Sequence, residues 1–106
     1  MTESEFNQLS DTLFQTIENL LEAADGEVDF ELAAGNVLEI ECADSKIVIN
    51  RQPALHEIWV AARSGGFHYR WQENAWRNTR DGSELLSSLA AILKQQCQVT
   101  LPNQHP

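Results

Sequence analysis

Residues 27–42 read EVDFELAAGNVLEIEC, and this stretch decides the fold. Val28, Phe30 and Leu32 alternate with Glu27, Asp29 and Glu31; then Leu38, Ile40 and Cys42 alternate with Val37, Glu39 and Glu41. A period of two marks strands with one apolar face. The intervening Ala33-Ala34-Gly35-Asn36 is too short for a crossover, so the two strands must pair antiparallel.

Upstream the period is 3.6. Phe6, Leu9, Leu13, Ile17, Leu20 and Leu21 fall on one arc, and Thr2 with Glu5 makes a capping box, so a helix is expected over residues 3–23. Asp25-Gly26 ends it. Downstream, Ala43-Asp44-Ser45 turns the chain into a strand at 46–50, and further strands are expected at 56–62, 67–71 and 75–78. A second helix is expected to begin at Asp81-Gly82-Ser83-Glu84 and to run to about Gln96, with Leu85, Leu86, Leu89, Ile92 and Leu93 inward.

The order is helix, six short strands, helix. Laying both amphipathic helices on the apolar face of one antiparallel sheet satisfies all of them, and leaves the other sheet face to solvent. The expected fold is an α+β two-layer sandwich. At 106 residues the chain suffices for one domain with a modest core. A single domain over 1–106 is expected, with a loose tail over about 98–106 that holds two prolines.

Charge is unevenly placed. Residues 1–45 hold twelve acids and no Lys or Arg; the rest holds seven bases against four acids, for a net charge of −9. Such a chain is a poor ligand for a phosphate backbone or an anionic membrane surface, so neither nucleic acid nor membrane is expected as a partner. No apolar run reaches transmembrane length, and MTESEF resembles neither a secretory signal nor a transit peptide. Cys42 and Cys97 have no CxxC or metal-ligand spacing and read as reduced thiols of a cytoplasmic protein, Cys42 as a small buried hydrophobe and Cys97 beyond the last helix.

Asp11, Glu18, Glu22 and Asp25 form a narrow stripe beside the apolar arc of the first helix, and the stripe leads into Glu27, Asp29 and Glu31. A solubilising face normally mixes Lys with Glu, and Glu18 with Glu22 is a like-charge i,i+4 pair that costs stability. Carboxylates so spaced offer hard oxygen ligands without a closed cage, which suits weakly held, hydrated hard cations. If the strands of residues 27–42 form a hairpin, Glu39 and Glu41 become cross-strand neighbours of these acids and extend the anionic surface onto the sheet.

The catalytic inventory is thin. His56, His68 and His105 lie far apart, and there is no nucleophile elbow, P-loop or G-x-G-x-x-G. Trp59 has the parity opposite to Ile58 and Val60, so it is expected on the open sheet face near Asn50 and Gln52, as an aromatic anchor for a partner.

Taken together, SEF at 4–6, DGEVDFE at 25–31, INRQPALHEIWVA at 49–61, GGFHY at 65–69, Trp76 and DGSELL at 81–86 resemble the frataxin family and its bacterial members. The resemblance spans about Ser4 to Lys94, and the NRQP…W stretch is its specific part. It implies a frataxin-like sandwich and a non-enzymatic, iron-binding regulator of iron–sulfur cluster assembly. Such a regulator acts as a monomer that can oligomerise with iron. Carried over by position, the ridge of Asp11, Glu18, Glu22, Asp25, Glu27, Asp29 and Glu31 would bind Fe2+ and Fe3+ weakly, with other divalent cations able to substitute. The same acids, Glu18 and Glu22 among them, would dock on the cysteine desulfurase and its iron–sulfur scaffold protein, together with Asn50, Gln52, Trp59 and Trp76. Asn19 and Ala23 stand where relatives often carry acids; Glu39 and Glu41 stand where relatives often carry Thr. The alternative is a ferroxidase or oligomeric iron store, for which the usual Glu-x-x-His pairs of a helix bundle are missing.

Overall fold

The computed structural model describes residues 1–102. Helix α1 spans Glu3–Glu22 and is capped as expected: the Thr2 side chain accepts from the Glu5 backbone N–H, and the Glu5 carboxylate accepts from the Thr2 N–H. Six strands follow, β1 (Asp29–Ala33), β2 (Val37–Cys42), β3 (Ser45–Gln52), β4 (Glu57–Ala62), β5 (Gly65–Gln72) and β6 (Ala75–Asn78), and then helix α2 (Leu85–Cys97). The strands pair in chain order as one antiparallel meander. Short connections make this order obligatory; the β5–β6 turn, for example, is Glu73-Asn74 with φ of +50° and +61°, the doubly left-handed turn that matches strand twist.

Both helices cover one face of the sheet. Phe6, Leu13, Phe14, Ile17 and Leu21 of α1 and Leu85, Leu89 and Leu93 of α2 meet Leu38, Ile40, Ile47, Ile49, Ile58, Val60 and Tyr69 in a single core. Arg51 crosses between the layers. Its guanidinium donates to Ser10 Oγ at 2.8 Å and to the Gly35 carbonyl at 2.8 Å, pairs with Asp11 at 2.6 Å and lies 4.9 Å above the Phe14 ring. It ties β3 to α1 and to the β1–β2 turn.

The structure departs from the sequence-based expectations in four places. Helix α2 starts later than expected, with Glu84 as its N-cap, because Asp81 turns back on Ser83 instead of capping the helix. The cysteines are not separate thiols: Cys42 and Cys97 form a disulfide across a sequence separation of 55. Cys42 points inward at the end of β2, and Cys97 is the last residue of α2, directly over it. The pair therefore supplies no argument for a reducing compartment.

The tail is not loose where it is described. Val99 is fully buried, Leu101 is nearly so, and Thr100 pairs with Asp25 in an antiparallel bridge. Residues 103–106 of the expected tail, including His105, lie outside the described residues. Trp76 belongs to the core and not to the open face, being 3% exposed. The tight β5–β6 turn sets it opposite Trp71, and its ring stands edge-on to Trp71 at 5.6 Å and to Phe6 at 5.9 Å.

Candidate cation and partner surface

The strand register decides how the acids meet. Asp29 stands opposite Glu41, and Glu31 opposite Glu39. The acids of β1 and β2 thus share the open face as direct like-charge neighbours, the arrangement expected from the sequence. Glu27, Asp29 and Glu41, with Gly26, Val28, Cys42 and Ala43, line a shallow groove of about 400 Å³ at this end of the sheet. Glu18 and Glu22 continue the band on α1, and Asp25 links the two elements.

Two of the nine expected cation ligands are already partnered. Asp11 is paired with Arg51 at 2.6 Å, and Glu39 with Lys46 at 3.6 Å. Asp11 thus serves the α1–β3 contact. Glu18, Glu22, Asp25, Glu27, Asp29, Glu31 and Glu41 form no ion pair among the described residues, although Lys46 stands opposite Glu41 in the β2–β3 register. Nor do three or more His, Cys, Asp or Glu side chains among the described residues converge tightly enough to hold an ion on their own. This donor set fits a hard cation that keeps most of its water, and it does not fit a dehydrated, caged one.

Relief of the β1–β2 repulsion is measurable. Glu41→Thr is expected to stabilise the cation-free protein by roughly 0.5 kcal/mol and to reduce cation uptake. Glu39→Thr should give less, because it also removes the Lys46 pair. Unchanged melting midpoint and unchanged uptake in Glu41→Thr would show that the pair repels too weakly to matter.

The far side of the open face carries a different cluster. Trp59 stands between Asn50 and His68 in the register, and its indole is half-buried beneath the His68 ring, stacked at 4.2 Å and 6° from parallel. The His68 ring is its cover. Gln52 donates to Asn50 Oδ1 at 2.7 Å, so these two amides are held as a pair.

Sequence reading missed Glu57, a carboxylate that is 6% exposed on this face. It accepts from Trp59 Nε1 at 2.8 Å and from Arg70 Nε at 2.7 Å, with His68 Nδ1 at 3.8 Å. Burial pushes its carboxyl up, but the Trp59 and Arg70 hydrogen bonds and the charges of Arg70 and His68 outweigh that and leave it below its ordinary value. The available signal was its parity: Glu57 lies two residues from Trp59 and opposite Arg70 in a hairpin. Glu57 fixes the Trp59 ring and so presents one aromatic edge beside the Asn50–Gln52 pair.

The open face is therefore acidic at β1–β2, aromatic at β4 and basic at β5–β6, where Arg70 and Arg77 stand in register. No helix among the described residues is long and apolar enough to cross a membrane.

Comparison with known proteins agrees with this architecture. A family model described as a frataxin-like domain matches residues 1–99. The iron–sulfur cluster assembly protein CyaY of Dechloromonas aromatica (strain RCB) is 54% identical over 97 residues, covering 91% of this chain and 92% of that protein. Its namesake from Shewanella baltica (strain OS155) is 45% identical over 106 residues, covering 95% and 96%. Among solved structures, frataxin from Psychromonas ingrahamii superposes with a TM-score of 0.88 at 37% identity, over 95% of this chain and 96% of that one.

Proposed function

The chain belongs to the frataxin-like family, and from that membership we propose that it is an iron-binding accessory and regulator of iron–sulfur cluster assembly. The names of its relatives support a role in that assembly. In that role Fe2+ and Fe3+ are cargo taken up on the acidic band, and the same band docks on a basic patch of the cysteine desulfurase and scaffold complex.

The unpaired acids of the band support both roles. Seven carboxylates run from Glu18 to Glu41 across α1, β1 and β2 and form no ion pair among the described residues. Their mutual repulsion is a standing cost that any bound cation relieves. A hydrated iron ion and the guanidinium groups of a protein partner relieve it alike, so the two compete for one surface. Asn50, Gln52 and the Trp59 edge then extend the contact across the sheet, where rigid, partly desolvated groups supply specificity that charge alone does not. Trp76 takes no part, because it is closed inside the core. The protein regulates by occupying a surface, and no residue is assigned a catalytic role.

Docking of this kind is screened by salt. Affinity for the purified desulfurase, read by calorimetry, is expected to fall by more than tenfold between roughly 50 and 500 mM salt, and to fall at low salt when Fe2+ is added. Affinity that is independent of salt would overturn the electrostatic dock.

A further inference from the structure

The Cys42–Cys97 bond sits where the acidic band is anchored. Cys42 ends β2 beside Glu41, and both residues line the acidic groove. Cys97 ends α2, and the chain beyond it turns back at Gln98, whose φ is +56°. The next residues form a strap. Val99 and Leu101 enter the core, while Thr100 N–H donates to the Asp25 carbonyl and Asp25 N–H to the Thr100 carbonyl, each at 2.9 Å. Beneath the strap lies Gly26, with φ of +124°. A Cβ there would stand 3.1 Å from Val99 Cγ2 and 3.2 Å from the Gln98 carbonyl oxygen, so only glycine allows this approach. The strap is thus held by sulfur at one end and clasps the α1–β1 link, which bears Asp25 and Glu27 and leads into Asp29.

We infer that Cys42–Cys97 is a reversible thiol–disulfide exchange site for a dithiol reductant, and that its reduction releases the strap from the α1–β1 link. Cys97 is half-buried and Cys42 only 5% exposed, so the incoming thiolate attacks Cys97 Sγ. A mixed disulfide with Cys97 forms, and the S–S bond to Cys42 breaks. The Cys42 thiolate takes the proton of the reductant's second thiol. That second sulfur then attacks its partner sulfur in the mixed disulfide, closing the reductant's own disulfide and freeing Cys97, which takes a proton from water. Two electrons pass from the dithiol to the protein. The strap then loses its covalent tie to β2 and is held only by its two hydrogen bonds to Asp25, the Val99 N–H to the Leu93 carbonyl, the Lys94 Nζ to Thr100 Oγ1 and two buried side chains, so it clasps Asp25 and Glu27 less tightly. That this changes cation uptake rests on the function proposed above; the exchange site and the release do not.

The test uses the full chain in its oxidised form, with dithiothreitol as the reductant and oxidised glutathione to reverse it. Free thiols, counted with a chromogenic disulfide reagent under native conditions, are expected to go from none to two and back. On reduction the amide order parameters of Asp25, Gly26, Val99 and Thr100 are expected to fall from the rigid value of about 0.85 to below about 0.6. Those of Ile49 and Val60 should not move. Cys97→Ser should show the same pattern without reductant. Thiols that never re-pair, or order parameters that stay unchanged on reduction, would overturn the inference. Loss of the whole dispersed spectrum would overturn it too, by making the bond a staple of the entire fold. Since neither readout involves a cation, the switch and the proposed iron site can fail separately.

Discussion

Replacing Cys42 and Cys97 together by serine is expected to lower the stability of the folded protein by about 4 kcal/mol. The bond joins positions 55 residues apart, and its main effect is to remove chain entropy from the unfolded state, an effect that grows with the logarithm of loop length. For a domain of this size the melting midpoint should drop by roughly 15 °C. Domains of this kind have stabilities of about 5–15 kcal/mol, so the variant should still fold. Thermal unfolding of oxidised wild type and the double variant, followed by far-ultraviolet circular dichroism, reads the difference directly. Equal midpoints would mean that the cysteines are not bonded in solution.

Trp76→Ala is expected to cost about 4 kcal/mol, the range for deleting a buried indole. Trp76 fills the space between Phe6, at the start of α1, and Trp71 of β5, and α1 cannot close over that end of the sheet without it. Denaturant unfolding should show a large fall in midpoint, whereas Trp59→Ala, at a half-exposed site, should cost much less. The two tryptophans also separate in binding. Trp59→Ala should weaken partner affinity in a protein that stays folded, while any binding defect in Trp76→Ala should track its loss of structure. A Trp76→Ala protein of wild-type stability would return that residue to the surface.

The difference between these tryptophans shows what the sequence made legible. Strand parity placed Trp59 correctly because β4 is long enough, and regular enough, to define two faces: Ile58 and Val60 inward, Trp59 outward. β6 has four residues, and nothing in AWRN says which parity faces the helices. Only pairing with β5 settles it. The hairpin of residues 27–42 was legible as a hairpin that sets Glu39 and Glu41 beside the outward acids of the first strand, because its short turn and its alternation constrain the register; the Asp29–Glu41 and Glu31–Glu39 pairs, the start of β1 at Asp29 and the exposure of Leu32 were not.

What stayed hidden was long-range. The Cys42–Cys97 bond depends on where the end of α2 lies over the end of β2, and no local pattern reports that. The Arg51–Asp11 pair, which takes one carboxylate out of the acidic band, joins residues 40 positions apart. Glu57 was hidden for a chemical reason. A glutamate in a half-polar strand reads as a solvent-facing residue until its partners, Trp59 and Arg70, are seen to close around it. The tail misled because prolines suggest a free end, although Val99 and Leu101 carry the apolar surface needed to dock it.

The acidic band as the iron surface is tested most directly by an anaerobic amide titration of the isotope-labelled protein with Fe2+ in moderate salt, with Mg2+ as the comparison. Paramagnetic broadening is expected to be confined to the amides from Glu18 to Glu31 and to those of Glu39 and Glu41, weaker near Asp11, and absent around Trp59 and Glu57. Broadening centred instead on His56 or His68, or an Fe2+ response no different from that of Mg2+, would contradict it.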